Sequence, residues 1–419
     1  MNDDASTSGN RTLNKAKAAK QDEFYTQYVD IEKEVAAYLE YDPDTFRGKV
    51  VYCNCDDPFE SNFFKYFAVN FNRLGLKKLI ATSYDGSPFA GEQLALPEFE
   101  EGNGDRDRPK AIAITLDAVT GGAADIDDVK LFLEQNPHTR TPLTGGGDFR
   151  SPECVALLKQ ADIVVTNPPF SLFRAYVAQL VEHGKKFLII GNVNAITYKE
   201  IFPLIMEGRL WLGVTMRHGT REFCVPDHYL LHAGNARVDE NGVKYINMPS
   251  ARWFTNLPHG YRPPLMPLMT MEDNLKSGKH KGKAMYDRYD NYDAIEVPYV
   301  SAIPSDYDGA MGVPVTFLDK YNPDQFEILG VTARGCHDRV PETKRYNDYW
   351  GVRQDGSTFG ISGTIVTDHA KLLGNAGHKC YYVNAEGRVV HAPYKRIFIR
   401  HRRRAGKIGE NDRHDVAQY

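Results

Sequence analysis

The sequence predicts an α/β protein, with one doubly wound sheet in the N-terminal part and a smaller, mixed α+β domain after it. Strand patterns alternate with amphipathic helix patterns from residue 49 to 257, an order typical of a mostly parallel sheet with helices on both faces. After about residue 258 the alternation stops, and prolines, tyrosines and charges surround short β patterns. We therefore expect a flexible basic arm over 1–21, a first domain over 22–258 and a second over 259–419.

The composition is that of an ordinary globular protein. The 419 residues are 42% hydrophobic and 25% charged, with a net charge of −4, so nucleic-acid binding has to come from local basic patches. No apolar stretch reaches the ~20 residues of a membrane span, and the polar N-terminus lacks a signal-peptide core. We expect no membrane partner and a cytoplasmic location. The six cysteines form no CxxC pair and no zinc pattern, so we expect reduced thiols and no metal.

The first strand–helix–strand unit is predicted over residues 49–83, after a helix over about 28–39. Strand patterns at 49–54 and 77–83 flank a helical pattern that Gly75 can end. Six residues of that pattern share one helical face: Phe59, Phe63, Phe64, Phe67, Ala68 and Phe71. This spacing favours packing in the core over a platform for stacking bases, and the unit implies parallel strands.

Later elements repeat the alternation. Further strands are predicted at 111–117, 161–167, 185–192, 209–214 and 251–257, and in the second domain at 313–318 and 326–331. A Gly-rich turn at 144–153 leads into a helix with Ser151 as N-cap and Pro152 as its first residue. Ser171 is placed to cap a helix over 172–184, and residues 197–208 form another predicted helix. One face of the 172–184 helix carries Leu172, Phe173, Tyr176, Val177, Leu180 and Val181.

Two stretches of the second domain carry local positive charge. Residues 395–407, KRIFIRHRRRAGK, hold seven lysines and arginines and no acidic residue. Such a run either meets the phosphates of a nucleic acid or is a solvated tail, and both interpretations stay open. Residues 345–353, RYNDYWGVR, mix two arginines with aromatic residues, although aromatic residues in such a domain usually belong to the core.

The strand at 161–167 ends in the corner Asn167-Pro168-Pro169-Phe170. In open α/β sheets, ligands bind at the carboxyl ends of strands. The two prolines have a fixed φ and carry no N–H, and Pro168 keeps Asn167 extended, so carbonyl oxygens stay available as acceptors. Asn167 adds a side-chain acceptor and Phe170 adds a flat face. These features predict a rigid slot for a planar group that bears an amine; the alternative is a plain proline-rich loop.

Such a slot suits methyl transfer to an exocyclic amine such as adenine N6. The lone pair of that nitrogen is delocalised into the ring, so the amine is a poor nucleophile. Two oxygens that accept both N–H bonds localise the lone pair and stabilise the positive charge that grows on nitrogen as it attacks a sulfonium methyl group. The reaction needs no metal and no separate nucleophile.

The NPPF corner after DIVVT resembles the catalytic motif of amino-group DNA methyltransferases that use S-adenosylmethionine. Residues 22–84 and 145–330 resemble the EcoRI-type adenine-N6 DNA methyltransferases, and the matching segments are DEFYTQY, VVYCNCDDP, SNFFKYFAVNF, LGLKKLIA, GDFRS, KKFLII, ITYKE, YDNYDAI and GVPVTFL. The resemblance implies a Rossmann-like methyltransferase sheet, a C-terminal target-recognition domain, and S-adenosylmethionine as the cofactor. The implied substrate is double-stranded DNA with a short site such as GAATTC.

The resemblance further implies a monomer that acts in a restriction–modification system, or as an orphan or phage enzyme. A cognate restriction endonuclease would belong to the same system without direct contact. Two other classes stay open. A protein methyltransferase that modifies glutamine amides also carries N-P-P-aromatic corners, and the glycine-poor loop after the first strand is compatible with a DNA-binding protein that has lost catalysis.

The resemblance assigns roles to matching positions. Asn167 and Pro168 would accept hydrogen bonds from the target amine, with Pro169 in the same motif, and Phe170 would stack on the base. The cofactor-binding candidates are Phe24, Tyr25 and Thr26 at the methionine end, Asn54, Cys55, Asp56 and Asp57 after the first strand, Asp85 at the ribose, and Asp148 and Phe149 at the adenine. Which residues of the first loop contact the cofactor stays open.

The target adenine has to be flipped out of the duplex before it can enter the slot. Phosphate contacts have to offset the cost of unstacking, and base contacts have to select the site. The DNA-binding candidates are Arg345, Arg353, Arg402, Arg403 and Arg404, with Lys15, Lys17 and Lys20 of the N-terminal arm.

Overall fold

The computed structural model describes residues 25–55, 58, 61–83, 111–117, 128, 131–132, 135–136, 139–217, 221–225, 231, 236–277, 285–332, 339–340, 342–343, 348–361, 364–367 and 380–402. The chain divides into two compact units, Met1–Tyr261 and Arg262–Tyr419. The described residues form a mixed α/β fold with several sheets. The expected basic arm over 1–21 lies outside the described residues.

The described residues of the first unit form the following helices and strands, each class numbered in chain order. Its helices are α1 (Tyr28–Tyr41), α2 (Asn62–Val69), α3 (Phe71–Leu74), α4 (Pro152–Gln160), α5 (Phe173–Glu182) and α6 (Phe202–Met206). Its strands are β1 (Tyr25–Thr26), β2 (Val50–Cys53), β3 (Lys78–Thr82), β4 (Ala111–Leu116), β5 (Arg140–Leu143), β6 (Ile163–Thr166), β7 (Lys186–Asn192), β8 (Trp211–Leu212), β9 (Glu222–Val225), β10 (Ala236–Val238), β11 (Lys244–Asn247) and β12 (Ala251–Thr255). In the described part of the chain, no helix combines the length and the apolar character of a membrane span.

Within the described residues, the larger sheet of this unit has eight strands in the order β5-β4-β3-β2-β6-β7-β12-β8. The four central strands are parallel, as the first strand–helix–strand unit predicts. The flanking strands β4, β5, β12 and β8 run antiparallel to their neighbours, so the expectation of a parallel sheet is correct only for the centre. Every residue of β2 and β6 is buried, because α helices and further strands cover the centre of the sheet.

The predicted apolar face of the helix after β2 is confirmed. Phe63, Phe64, Phe67 and Ala68 are buried in the main core cluster, and Phe71 continues that surface on α3. Phe59 lies outside the described residues. Ser61 caps α2, since its hydroxyl oxygen accepts from the N–H of Phe63 at 3.2 Å. Gly75, with φ of +62°, ends α3 as predicted.

Of the two predicted serine caps, one is confirmed and one is wrong. Ser151 accepts from the N–H of Cys154 at 3.2 Å, and Pro152 is the first residue of α4. Ser171 does not cap α5, because the turn after the prolines runs one residue further and Leu172 occupies the N-cap without a side-chain bond. In that turn the N–H of Leu172 donates to the carbonyl of Pro169 at 2.9 Å.

The predicted helix over 197–208 is shorter than expected. Residues 193–197 form a 3-10 turn, and α6 begins only at Phe202. Pro203 accounts for this start, because proline lacks an N–H and fits best in the first turn of a helix.

A small sheet in the order β1-β9-β11-β10 completes the first unit. The loop before β9 is held by the buried carboxylate of Glu34 on α1, which accepts from the N–H groups of Val214 at 2.8 Å and Thr215 at 2.7 Å. Burial raises the pKa of Glu34, and the hydrogen bonds from Thr215 oppose that shift. Gly213 leaves room for this carboxylate, since a Cβ there would lie 2.2 Å from Oε1 of Glu34. The strand β9 pairs with β1, which consists of Tyr25–Thr26.

In the part of the second unit that the structure describes, there are one α-helix, α7 (Met271–Ser277), and two sheets. Its strands are β13 (Ala294–Glu296), β14 (Ala310–Pro314), β15 (Phe326–Val331), β16 (Tyr349–Arg353), β17 (Thr358–Gly360), β18 (Val366–Thr367), β19 (Cys380–Asn384), β20 (Val389–His391) and β21 (Arg396–His401). They form sheets in the orders β13-β14-β21-β15 and β17-β16-β19-β20-β18. The strand predicted at 326–331 is confirmed, whereas 313–318 is only partly a strand because 315–320 form a 3-10 helix.

The basic run at 395–407 begins inside a sheet rather than in a tail. Residues Arg396–His401 form β21, between β14 and β15. The Arg396 guanidinium is nearly buried and donates to both oxygens of Glu296 on β13, with Nη2 2.6 Å from Oε1. The hydroxyl of Tyr289 also donates to Glu296. The first arginine of the run therefore stabilises the sheet.

Candidate active site

The predicted corner lies at the carboxyl end of β6, an interior strand of the eight-stranded sheet. Asn167 directly follows this strand and is 6% exposed, and Pro168 is buried beside it. Pro169 and Phe170 are half-buried, and Phe170 packs against the main core cluster on one side. The corner is thus fixed by the sheet below it and by the packing of its own aromatic residue.

The loop after β2 is joined to this corner by a hydrogen bond. The hydroxyl of Thr166, the last residue of β6, donates to the carbonyl of Asn54, which directly follows β2. Both residues are buried. The ends of two neighbouring parallel strands are therefore tied together next to Asn167. Asp56 and Asp57 of the same loop lie outside the described residues.

Cys55 has a backbone conformation that is usually found at glycine, although the loop after β2 is poor in glycine. Its φ is +72°, in the left-handed region that non-glycine residues seldom enter. Holding a side chain there costs about 1 kcal/mol, which the surrounding contacts have to offset. The absence of a Gly-x-Gly motif therefore does not prevent a sharp turn after β2.

Tyr176 of α5 joins two of the predicted site segments, and its role was missed in the sequence. Its hydroxyl donates to the side-chain oxygen of Asn54. Its ring meets that of Phe149 edge-on, with the centroids 5.0 Å apart. Burial raises the pKa of Tyr176 well above its ordinary value, so the hydroxyl stays protonated and acts as a donor. The only sequence signal was a hydroxyl on a helical face that is otherwise apolar.

Asp148 and Phe149 lie in the turn before α4. Phe149 is buried, and its carbonyl accepts from Nε2 of Gln179 at 3.1 Å. The carboxylate of Asp148 accepts from Nε and Nη2 of Arg150 at 2.9 and 2.6 Å, and this hydrogen bonding lowers the pKa of Asp148. Phe149 thus belongs to the buried group around Tyr176, while Asp148 is engaged with an exposed arginine.

The segment Tyr25–Thr26 lies against the helix that follows β2. The carbonyl of Thr26 accepts from the side-chain amide of Asn62, in the first turn of α2, at 2.7 Å. The hydroxyl of Thr26 is buried and has no hydrogen-bond partner within the described residues. Phe24 and Asp85, the other candidates at these positions, lie outside the described residues.

The DNA-binding candidates that the structure describes belong to the second unit. Arg353 is exposed at the end of β16, with its guanidinium 4.6 Å from the ring centre of Phe359. Tyr349 on the same strand is buried, so this tyrosine is a core residue. Arg402 is exposed directly after β21. The remaining candidates lie outside the described residues: Arg345, Arg403, Arg404, Lys15, Lys17 and Lys20.

Comparison with known proteins gives a match over most of the chain. The model of the family described as adenine-specific methyltransferase EcoRI matches residues 12–402. The type II methyltransferase M.EcoRI of Escherichia coli is 48% identical over 322 residues, which cover 76% of this chain and 89% of that protein. The type II methyltransferase M.MpnI of Mycoplasma pneumoniae is 38% identical over 323 residues, covering 77% of this chain and 86% of that protein. No solved structure is significantly similar to the chain.

Proposed function

Because the chain belongs to the family of the EcoRI adenine-specific methyltransferase, we infer that it methylates adenine in DNA as part of a type II restriction–modification system. The observation that carries this inference within the fold is the buried amide of Asn167 at the carboxyl end of β6, joined through Thr166 to the loop after β2. A methyltransferase has to bind its methyl donor and its methyl acceptor next to each other. The carboxyl ends of β2 and β6 offer candidate residues for both.

S-adenosylmethionine is the methyl donor that we propose, and the residues at this edge fit its chemistry. The buried hydroxyl of Thr26 has no hydrogen-bond partner within the described residues, so it is available to a polar group of the methionine end. The loop at Asn54 and Cys55 and the aromatic ring of Phe149 complete the proposed donor site. When bound, the sulfonium supplies an electrophilic methyl group.

The target amine would be held by the corner. Asn167 supplies a side-chain oxygen, and Pro168 supplies a backbone carbonyl. Neither proline of the pair has an N–H that could donate to these oxygens. Both oxygens accept from the exocyclic nitrogen, localise its lone pair and stabilise the charge that grows there. Phe170 would stack on the base. The proton leaves the nitrogen after methyl transfer, toward these acceptors or solvent.

We further propose a Rossmann-like catalytic domain over 22–258 and a target-recognition domain over 259–419. Arg345, Arg353 and Arg402 to Arg404 would contact phosphates, together with the basic arm over 1–21. GAATTC is the first recognition site to test, since M.EcoRI is the relative with 48% identity. The protein would act as a monomer in the cytoplasm, without contact to a cognate endonuclease.

The proposed function is tested by producing the protein in a bacterial host that lacks adenine methylation. Sequencing of the host DNA should then show N6-methyladenine at one short motif, and the DNA should resist an endonuclease that cuts GAATTC if that is the site. In vitro, the label from tritiated S-adenosylmethionine should disappear on DNase treatment. Label that disappears only on protease treatment would indicate a protein methyltransferase. No label and no heat on titration with S-adenosylmethionine would indicate an inactive DNA-binding protein.

Tyr176→Phe is expected to weaken binding of S-adenosylmethionine about tenfold, because the buried side-chain oxygen of Asn54 loses its donor and the first loop loses its support. Turnover at saturating donor should stay within about twofold of the wild-type value, since the corner at Asn167 is unchanged. Calorimetry and steady-state kinetics give the two quantities separately.

Tyr286→Phe is the matched control, because it removes a buried hydroxyl that donates to the carbonyl of Ala302 at 2.7 Å in the second unit. It should leave the donor affinity unchanged. If both variants bind S-adenosylmethionine like the wild type, Tyr176 has no part in positioning the loop.

A further inference from the structure

An exposed arginine stands beside the candidate active site. Arg174 lies in the first turn of α5, which begins at Phe173, three residues after Phe170 of the corner. Tyr198 follows the 3-10 turn that begins at the carboxyl end of β7, the strand next to β6. Both residues therefore lie at the edge of the sheet where Asn167 is found, and neither belongs to the groups assigned above.

The guanidinium of Arg174 is held over an aromatic ring. Its Cζ lies 4.0 Å from the ring centre of Tyr198, close enough for a cation–π contact. Arg174 is exposed, and within the described residues it makes no ion pair. The neighbouring Lys199 and Glu200 form a pair at 3.8 Å and neutralise each other. Within the described residues, the guanidinium of Arg174 is thus an exposed positive charge in a defined orientation at this edge.

The helix turn that carries Arg174 is fixed by close packing. Gly191 on β7 leaves space for Phe173, because a Cβ at that glycine would lie 2.4 Å from Cε2 of the phenylalanine ring. Phe173 also meets Phe254 of β12, with ring centroids 5.1 Å apart. Arg174 follows a residue that is locked against two strands, so its backbone has little freedom to move.

We propose that Arg174, held by Tyr198, binds a phosphate of the DNA strand that carries the flipped adenine. The proposal rests on the proposed function. A base that reaches Asn167 brings the phosphates on either side of it to the same edge of the sheet. A guanidinium binds phosphate through paired, charge-assisted hydrogen bonds, and stacking on an aromatic ring leaves those donors available. The contact positions the flipped nucleotide without reading its sequence.

Arg174→Ala tests the proposal in the full-length protein, with an unmethylated, amplified DNA fragment that the wild type methylates. We expect the KM for DNA to rise about tenfold, the loss expected for one charge-assisted contact. The slope of log Kd against log salt should fall by about 0.9, which corresponds to one phosphate. Turnover at saturating DNA and the affinity for S-adenosylmethionine should not change. Arg174→Lys keeps the charge without the planar group, so it should restore the slope and only part of the affinity.

Arg73→Ala is the control. Arg73 is an exposed arginine at the end of α3, on the opposite edge of the sheet, and it donates to Asn70 and Tyr66. Tyr198→Phe should behave like the wild type, whereas Tyr198→Ala should weaken DNA binding. If Arg174→Ala matches Arg73→Ala in KM and slope, or lowers only turnover, the proposal is wrong. A wild-type protein that does not methylate DNA would refute the proposed function instead.

Discussion

Asn167→Ala is expected to slow methyl transfer by about 10²–10³-fold, since it removes one of the two oxygens that we propose to stabilise the reacting nitrogen. The substitution leaves the prolines and Phe170 in place, so the corner keeps its shape. The hydroxyl of Thr166 would still donate to the carbonyl of Asn54, and the donor site would keep its loop. We therefore expect the affinity for S-adenosylmethionine to change by less than about twofold. Single-turnover methylation and calorimetry measure these two effects.

Asn167→Asp is the matched variant for this experiment. Aspartate has the same shape and presents two oxygens, so it should retain far more activity than alanine. A rate for Asn167→Ala close to that of the wild type would remove Asn167 from the reaction. Equal losses in both variants would indicate that the donor N–H₂ of the amide, rather than its oxygen, is the important group.

Glu296→Ala is expected to lower the free energy of unfolding of the second unit by about 3–5 kcal/mol, because it leaves the buried charge of Arg396 without its carboxylate. The two side chains are only 7% and 11% exposed, so water cannot replace the lost partner. Burial raises the pKa of Tyr289, so its hydroxyl stays protonated and would also lose its acceptor. Denaturant unfolding followed by a probe in the second unit measures the loss.

Glu327→Ala provides the comparison, because the arginine partners of the two glutamates, Arg396 and Arg400, lie on the same strand, β21. Glu327 of β15 pairs with Arg400 of β21, but the side chain of Arg400 is 49% exposed, so the loss should be about 0–1 kcal/mol. The double variant Glu296→Ala, Arg396→Met should recover much of the stability that Glu296→Ala loses. Equal losses for Glu296→Ala and Glu327→Ala would show that burial does not determine the strength of these pairs.

Local patterns predicted the elements of the first unit well. The face of α2 follows from helical spacing alone, and the cap at Ser151 follows from its place directly before Pro152. The cap at Ser171 was wrong because the length of a turn between a strand and a helix depends on the hydrogen bond at Pro169, which the sequence does not reveal. The sequence also did not reveal that the outer strands are antiparallel, since parallel and antiparallel strands show the same alternation of apolar residues.

In the candidate site, too, some residues could be predicted from the sequence and others could not. The corner at Asn167 is a contiguous motif and was visible in the sequence. Tyr176 was not, because its partner Asn54 is far away in the chain and only the fold brings them together. The role of Arg396 was hidden for the same reason, because Glu296 sits on another strand. In the sequence, a run of basic residues has the same appearance whether its side chains face solvent or pair with a buried carboxylate.

The hydrogen bond between the hydroxyl of Thr166 and the carbonyl of Asn54 links the carboxyl ends of β6 and β2. If the methyl donor and the base bind at these two strand ends as proposed, binding of one should change the affinity for the other, and thermodynamic reciprocity requires the same factor in both directions. With a non-reactive analogue of the methyl donor bound, the protein should therefore bind an extruded nucleotide more tightly, by the same factor by which that nucleotide raises the affinity for the analogue.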